Sequence, residues 1–174
     1  MAHIVLTLIG PDRPGIVDAL AGPVAAFGGN WLESRMAHLG GQFAGILSLE
    51  VPDGRAADLL EALSRLEERG LTIVAERTEP GKVAPERRLL VLDLVGLDRP
   101  GIVREISRAL LEFGVNIEEL ATDRTIAAMS GEPIFRSRAK VLVPATTDPR
   151  ELRARLERLA SDLMVQVKLE DASS

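Results

Sequence analysis

An internal repeat constrains the fold of this chain more than any other feature of its sequence. The segment Ile-Gly-Pro-Asp-Arg-Pro-Gly-Ile-Val, which starts at Ile9, returns as Val-Gly-Leu-Asp-Arg-Pro-Gly-Ile-Val, which starts at Val95. A Phe-Gly-x-Asn segment recurs with the same spacing, beginning at Phe27 and again at Phe113. Two halves that carry the same motifs in the same order predict two copies of one domain.

The apolar pattern of each copy predicts the order strand, helix, strand, strand, helix, strand. Alternating apolar residues such as Ile4, Leu6 and Leu8 are typical of a strand with one buried face. The helices follow as stripes of apolar residues at three- and four-residue spacing. A βαββαβ unit is typical of the ferredoxin-like sandwich, an antiparallel four-stranded sheet covered by two helices. We therefore predict an α+β fold of two such domains, at residues 1–79 and 88–171, with a Pro- and Gly-containing linker at 80–87.

Several finer expectations concern the ends of these elements. The last strands of the two copies are predicted at Leu71–Arg77 and Leu163–Leu169. Pro23 is predicted to kink or shorten the first helix, because proline lacks the N–H that the helix interior needs. Gly28 and the matching Gly114 suit the left-handed residue that ends a helix. The second copy is longer, and we place its additional residues in the loop at 125–132.

Composition excludes several classes of function. The chain has 174 residues and no cysteine, so it can form no disulfide, thiol nucleophile or cysteine-ligated metal site. The net charge of −5 argues against direct nucleic-acid binding, which needs a surplus of Lys and Arg. Apolar runs fall far short of the roughly 20 residues that span a bilayer, so we expect a cytoplasmic protein without membrane contact. The two histidines, His3 and His38, and the serines form no catalytic or metal-binding motif, so we expect neither an enzyme nor a cofactor.

The repeated Asp-Arg-Pro-Gly turn carries the candidate binding chemistry. It joins the first strand to the first helix, whose opening N–H groups and dipole favour an anion such as an amino acid carboxylate. The aspartates could pair with a ligand ammonium, or they could only accept hydrogen bonds from turn amides. The asparagines open the second strand, which we expect near the same loop. The candidate ligand-binding residues are Asp12, Arg13, Gly15, Ile16, Asn30, Asp98, Arg99, Gly101, Ile102 and Asn116.

The turn followed by Phe-Gly-x-Asn resembles the opening of an ACT domain, a regulatory module that senses small molecules. A tandem pair with no attached enzyme is similar to the glycine cleavage system transcriptional repressor family. The resemblance implies a small amino acid effector of the glycine or serine class, bound where two domains meet. It also implies a homo-oligomer that acts through a DNA-binding regulator protein, because the chain has no evident helix-turn-helix. The alternative is a ligand-free ACT scaffold or oligomerisation adaptor, which the same turn would serve equally well.

Two further features allow more than one interpretation. Trp31, which follows the first candidate asparagine, suits either core packing or one wall of a ligand site. Arg136, Arg138 and Lys140 alternate along one strand of the second copy, where they form either a solvated face or a docking surface. Asp93 on the neighbouring strand is expected to neutralise part of that charge.

Overall fold

The computed structural model describes residues 1–78 and 86–172. The chain divides into two compact units, unit one (Met1–Lys82) and unit two (Val83–Ser174). Each unit is an antiparallel four-stranded sheet with two α-helices, as the sequence predicted. The predicted linker at 80–87 lies outside the described residues except for its last two, of which Arg87 begins a strand. Unit one contains β1 (Ala2–Pro11), α1 (Ile16–Ala26), β2 (Asn30–Leu39), β3 (Gln42–Val51), α2 (Ala56–Ser64) and β4 (Thr72–Thr78). Unit two contains β5 (Arg87–Leu97), α3 (Ile102–Glu112), β6 (Asn116–Ile126), β7 (Pro133–Pro144), α4 (Pro149–Leu163) and β8 (Val165–Asp171).

The sheet of unit one has the strand order β2-β3-β1-β4, and β1 lies in its interior. Alternate residues of β1 point towards the helices, and Ile4, Leu6 and Leu8 are at most 2% exposed. Helix α1 buries Ile16, Leu20 and Val24 against this face, which is the apolar stripe that the sequence predicted. Burial of these apolar side chains from both layers supplies the main driving force for folding the unit.

Unit two repeats this topology, with the order β6-β7-β5-β8. Leu92 and Leu94 of β5 pack against Ile102 and Leu110 of α3 in a separate core. Both sheets carry the same irregularity, because the register shifts between Trp31 and Glu33 in β2 and at the matching residues of β6. The repeat in the sequence is therefore a repeat in local backbone geometry as well.

Some predicted ends were wrong by one or two residues. Strand β8 begins at Val165 rather than at the predicted Leu163, because α4 runs through Leu163 and buries it in the core. Strand β4 likewise begins one residue later than predicted, at Thr72. Gly28 and Gly114 have positive φ angles and follow the C-cap residues of α1 and α3, which confirms the predicted left-handed residue at each helix end.

The expected shortening of the first helix by Pro23 does not occur. Helix α1 contains Pro23 and has 11 residues, the same length as α3, which has no proline. The carbonyl of Pro23 accepts a hydrogen bond from the N–H of Phe27 at 3.1 Å, so the proline removes one donor without ending the helix. The additional residues of unit two fall at the predicted place, but 125 and 126 belong to β6 and only 127–132 form the loop before β7. Over the described part of the chain, no helix is both long and apolar enough to cross a bilayer.

An ion pair between the two helices of unit two predicts that the free energy of unfolding depends on pH. Arg155 Nε of α4 lies 2.8 Å from Glu112 Oε2 at the end of α3, and this hydrogen bond lowers the pKa of Glu112 below its usual value near 4.5. A lowered pKa in the folded state adds stability above the ordinary pKa, and the gain is lost as the pH falls through the lowered value. We expect Glu112→Gln to lower the melting temperature slightly at pH 7 and not at all at a pH below the lowered pKa. Thermal melts at several pH values check this, and Glu157→Gln on α4, which removes a carboxylate without an ion pair among the described residues, is the control.

Candidate ligand-binding site

The first loop of unit one joins β1 to α1 and is anchored at both ends. The N–H of Asp12 donates to the carbonyl of Gly41 at 3.0 Å, which ties the loop to the β2–β3 hairpin. The guanidinium of Arg13 donates to the backbone carbonyl of Arg69, which lies just before β4. The Asp12 carboxylate lies 3.8 Å from Nε2 of His38, too far for a hydrogen bond. The loop therefore presents an adjacent anion and cation on a fixed backbone.

The first loop of unit two has the same backbone but different side-chain partners. The N–H of Asp98 donates to the carbonyl of Pro133 at 2.8 Å, again at the neighbouring hairpin. Its carboxylate accepts a hydrogen bond from Nε of Arg124 at 2.7 Å. Arg99 donates to both carboxylate oxygens of Glu105 on α3, at 3.1 and 3.2 Å. Both charges of this loop are thus paired within the unit.

Glycine is required where each loop enters its helix. Gly15 and Gly101 are the N-cap residues of α1 and α3, with φ angles of 90° and 93° that residues with a side chain rarely adopt. Neither cap supplies a side-chain hydrogen bond, and a Cβ on Gly15 would meet nothing within 4 Å. The aspartates do not cap the helices either, because Asp12 lies against His38 and Asp98 against Arg124. The start of α1 therefore has no side-chain cap, and the space beside the Cα of Gly15 is open.

The first glycine of each motif has a structural role that the sequence analysis missed. Strands β1 and β5 each continue one residue past this glycine, to Pro11 and Leu97. A Cβ on Gly10 would lie 2.7 Å from the carbonyl oxygen of Gly70, and one on Gly96 would lie 2.4 Å from Cγ1 of Val165. These glycines allow a neighbouring chain segment to approach closely, so the first glycine of the motif is needed for packing.

Asn30 and Asn116 do not lie near the first loop of their own unit, and that expectation was wrong. Asn30 opens β2 opposite Glu50, which pairs with His3 at the start of β1, whereas the loop follows the other end of β1. Seven residues of strand separate the two ends, which is roughly 24 Å. The register places Asn116 in the same way in unit two. The reason is that the first helix carries the chain back across the sheet before the second strand begins.

Trp31 and the other aromatic residues pack against the cores. The indole of Trp31 lies on the core of unit one, with its Nε1 3.3 Å from Oγ of Ser34, so the core-packing interpretation is the one that the structure favours. The chain has no tyrosine, and all four phenylalanines also pack against the two cores. RNA-recognition modules stack bases on aromatic residues of the open sheet face, and here those rings point inward.

The basic strand β7 is largely neutralised by its neighbours. Arg138 lies 3.7 Å from Asp93 on β5, as the sequence analysis expected, and Lys140 lies 3.0 Å from Glu119 on β6. These contacts favour the solvated face over a docking surface for an acidic partner. Among residues 1–78 and 86–172, no three His, Asp or Glu side chains gather where they could hold a metal ion.

Comparisons with known proteins agree with this architecture. The family model of the ACT domain matches residues 2–76. The glycine cleavage system transcriptional repressor of Escherichia coli (strain K12) is 26% identical over 166 residues, which cover 94% of this chain and 87% of that protein. The crystal structure of an unknown protein from Galdieria sulphuraria matches with 31% identity, a TM-score of 0.83 and 99% coverage of both chains.

A second solved structure supports the tandem fold. It is the crystal structure of a candidate glycine cleavage system transcriptional repressor, with a TM-score of 0.72 and 21% identity over 99% of this chain and 98% of that one. At this identity the match bears on the fold alone. Residues 2–76 thus match the ACT domain, unit two repeats the motifs and topology of that unit, and the chain is similar to the glycine cleavage system transcriptional repressors along most of its length.

Proposed function

We propose that the protein is a non-catalytic regulator that senses a small amino acid, with glycine the first candidate and serine the second. The observation that carries this proposal is the first loop, where an aspartate and an arginine stand side by side at the N-terminus of a helix capped by glycine. An α-amino acid offers the complementary charges, a carboxylate for the arginine and helix N–H groups and an ammonium for the aspartate. The similarity to a transcriptional repressor supports a regulatory role.

The candidate residues of each loop would act together. In unit one Asp12 would accept from the ammonium, while Arg13 and the N–H groups of Gly15 and Ile16 would bind the carboxylate. The corresponding set in unit two is Asp98, Arg99, Gly101 and Ile102. Because Asn30 and Asn116 lie at the opposite end of their own sheets, they can join a loop site only from another ACT domain. An oligomer that brings such an end to a loop would complete the site.

The effector would act by shifting a conformational equilibrium. A ligand that binds one arrangement of domains more tightly than another favours that arrangement and changes the surface offered to a partner. We propose that this partner is a DNA-binding regulator protein, since the aromatic side chains of the described units pack against the two cores and leave no stacking face for nucleic acid. The free energy available to glycine is limited to about 7.5 kcal/mol by its size, so the dissociation constant is expected to be micromolar or weaker.

Calorimetric titration of the full chain with glycine, serine and larger amino acids tests the proposal. We expect saturable binding of one small amino acid, accompanied by a rise in melting temperature at saturating concentration. D-Serine and glycinamide are matched controls. The first has the opposite configuration at Cα from L-serine, and the second has a neutral amide in place of the carboxylate. No heat and no change in melting temperature at millimolar concentrations of every amino acid would instead support the ligand-free scaffold.

A further inference from the structure

The two first loops differ in how far their own side chains have already neutralised the charges that an amino acid would use. Both loops carry an Asp-Arg pair on the same backbone, so they offer the same anion and the same cation. What differs is the set of neighbours that each charge contacts within its unit. A ligand pairs more readily with a charged side chain that no internal ion pair already engages, because it then displaces nothing.

The loop aspartate is ion-paired with an arginine in unit two, but it has only a histidine beside it in unit one. Asp98 is held by a charge-assisted hydrogen bond of 2.7 Å from Arg124, and its side chain is 26% exposed. Asp12 is 43% exposed, and its neighbour His38 lies 3.8 Å away and carries a charge only when protonated. An effector ammonium can therefore approach Asp12 directly, whereas at Asp98 it would compete with a permanent cation.

The cation shows the same asymmetry. Arg99 is paired with the carboxylate of Glu105, and Oε1 of that glutamate lies 3.7 Å from the Cβ position of Gly101, beside the helix start. Arg13 hydrogen-bonds to a backbone carbonyl, and within the described residues it forms no ion pair with a carboxylate. The glutamate of unit two thus lies where the carboxylate of an effector would lie in unit one.

Two positions account for both differences. His38 and Arg124 occupy equivalent places in the repeat, each opposite the phenylalanine of the neighbouring strand. Ala19 in α1 is the equivalent of Glu105 in α3, and its methyl group cannot reach the arginine of its loop. Arg124 and Glu105, which pair with the charged loop residues of unit two, are therefore replaced by a histidine and an alanine in unit one.

We propose that each chain binds one amino acid effector, at the first loop of unit one, and that Glu105 is an internal carboxylate that takes the effector's place in unit two. This inference rests on the proposed function and narrows it to one of the two loops. Unit two then has a fixed loop that needs no ligand, and the response to the effector is confined to unit one.

Exchange of these residues between the units tests the inference by calorimetry with glycine on the full chain. The wild-type chain should bind one glycine. Ala19→Glu should weaken this binding at least tenfold, because the new carboxylate can pair with Arg13, while Ala19→Gln, of the same shape but uncharged, should weaken it much less. The double variant Glu105→Ala with Arg124→His should bind two glycines. Circular dichroism melts establish that each variant is folded.

The outcomes separate this inference from the function on which it rests. If the wild-type chain binds no amino acid, the proposed function and the inference both fail. If it binds two equivalents, or binds one that Ala19→Glu leaves unchanged while Glu105→Gln or Asp98→Asn alters it, the inference is overturned and the sensor function stands.

Discussion

Replacement of Gly96 by alanine is expected to lower the free energy of unfolding by about 3 kcal/mol, the upper end of the range for overpacking a close contact. The added Cβ would lie 2.4 Å from Cγ1 and 2.8 Å from Cα of Val165, the residue that pairs with Gly96 across the sheet. Because the second of these atoms belongs to the backbone, rotation of the valine side chain cannot relieve the contact. Strand β8 must move away from β5, and the hydrogen bonds between them weaken. Urea unfolding monitored by circular dichroism measures the loss.

Two further variants give this prediction its controls. Gly54→Ala adds a Cβ that meets nothing within 4 Å and should change the stability by less than about 0.5 kcal/mol. Val165→Ala in the Gly96→Ala background removes the nearest clashing atom and should recover only part of the loss. A Gly96→Ala protein as stable as the wild type would mean that β5 and β8 are not in such close contact, and the packing role of the motif's first glycine would be wrong.

Asp12→Asn is expected to weaken glycine binding by about 10- to 100-fold. The substitution keeps the size of the side chain and removes the negative charge that would face the effector ammonium. A hydrogen bond to a charged group contributes about 1.5–3 kcal/mol, which corresponds to this change in the dissociation constant. The melting temperature of the ligand-free protein should hardly change, because Asp12 makes no hydrogen bond to His38 through its side chain. Calorimetry with glycine measures the affinity.

Asp98→Asn is the matched control, since Asp98 occupies the same position in unit two. It should leave glycine affinity within about twofold, and it should lower stability because Arg124 loses its charged partner. The reverse pattern, with affinity lost at Asp98 and kept at Asp12, would place the effector in unit two. Equal losses at both positions would mean that the two loops bind the effector alike.

The fold was predictable because the same pattern of apolar residues and motifs occurs twice in the sequence. The alternation in β1 and the stripe of α1 each recurred in unit two, so errors in one copy could be checked against the other. The ends of elements were less predictable, since Leu163 is equally apolar as the end of α4 or the start of β8. The expected shortening of α1 at Pro23 was wrong, because the helix keeps its full length although one N–H donor is missing.

The sequence predicted which loop carries the candidate site residues, but it did not predict where their side chains lie or which residues they pair with. The motif located Asp12 and Gly15 correctly at a strand-to-helix turn, and the structure adds that Gly15 is left-handed. It could not show that Asn30 lies at the other end of the sheet, because α1 displaces the chain by roughly 16 Å before β2 begins. The pairing of Asp98 with Arg124 depends on the register between β6 and β7, which no local pattern encodes. The signal was nonetheless in the repeat, where a histidine and an arginine stand at matching positions.

Nuclear magnetic resonance can show whether an amino acid binds at the first loop of unit one. Backbone amide signals of ¹⁵N-labelled full chain are followed as glycine is added. We expect the amide signals of Asp12, Gly15 and Ile16 to shift together and saturate with one dissociation constant, while those of Gly101 and Ile102 move little. Amides of the first loop that stay in place at saturating glycine, whether or not signals elsewhere shift, would contradict this expectation.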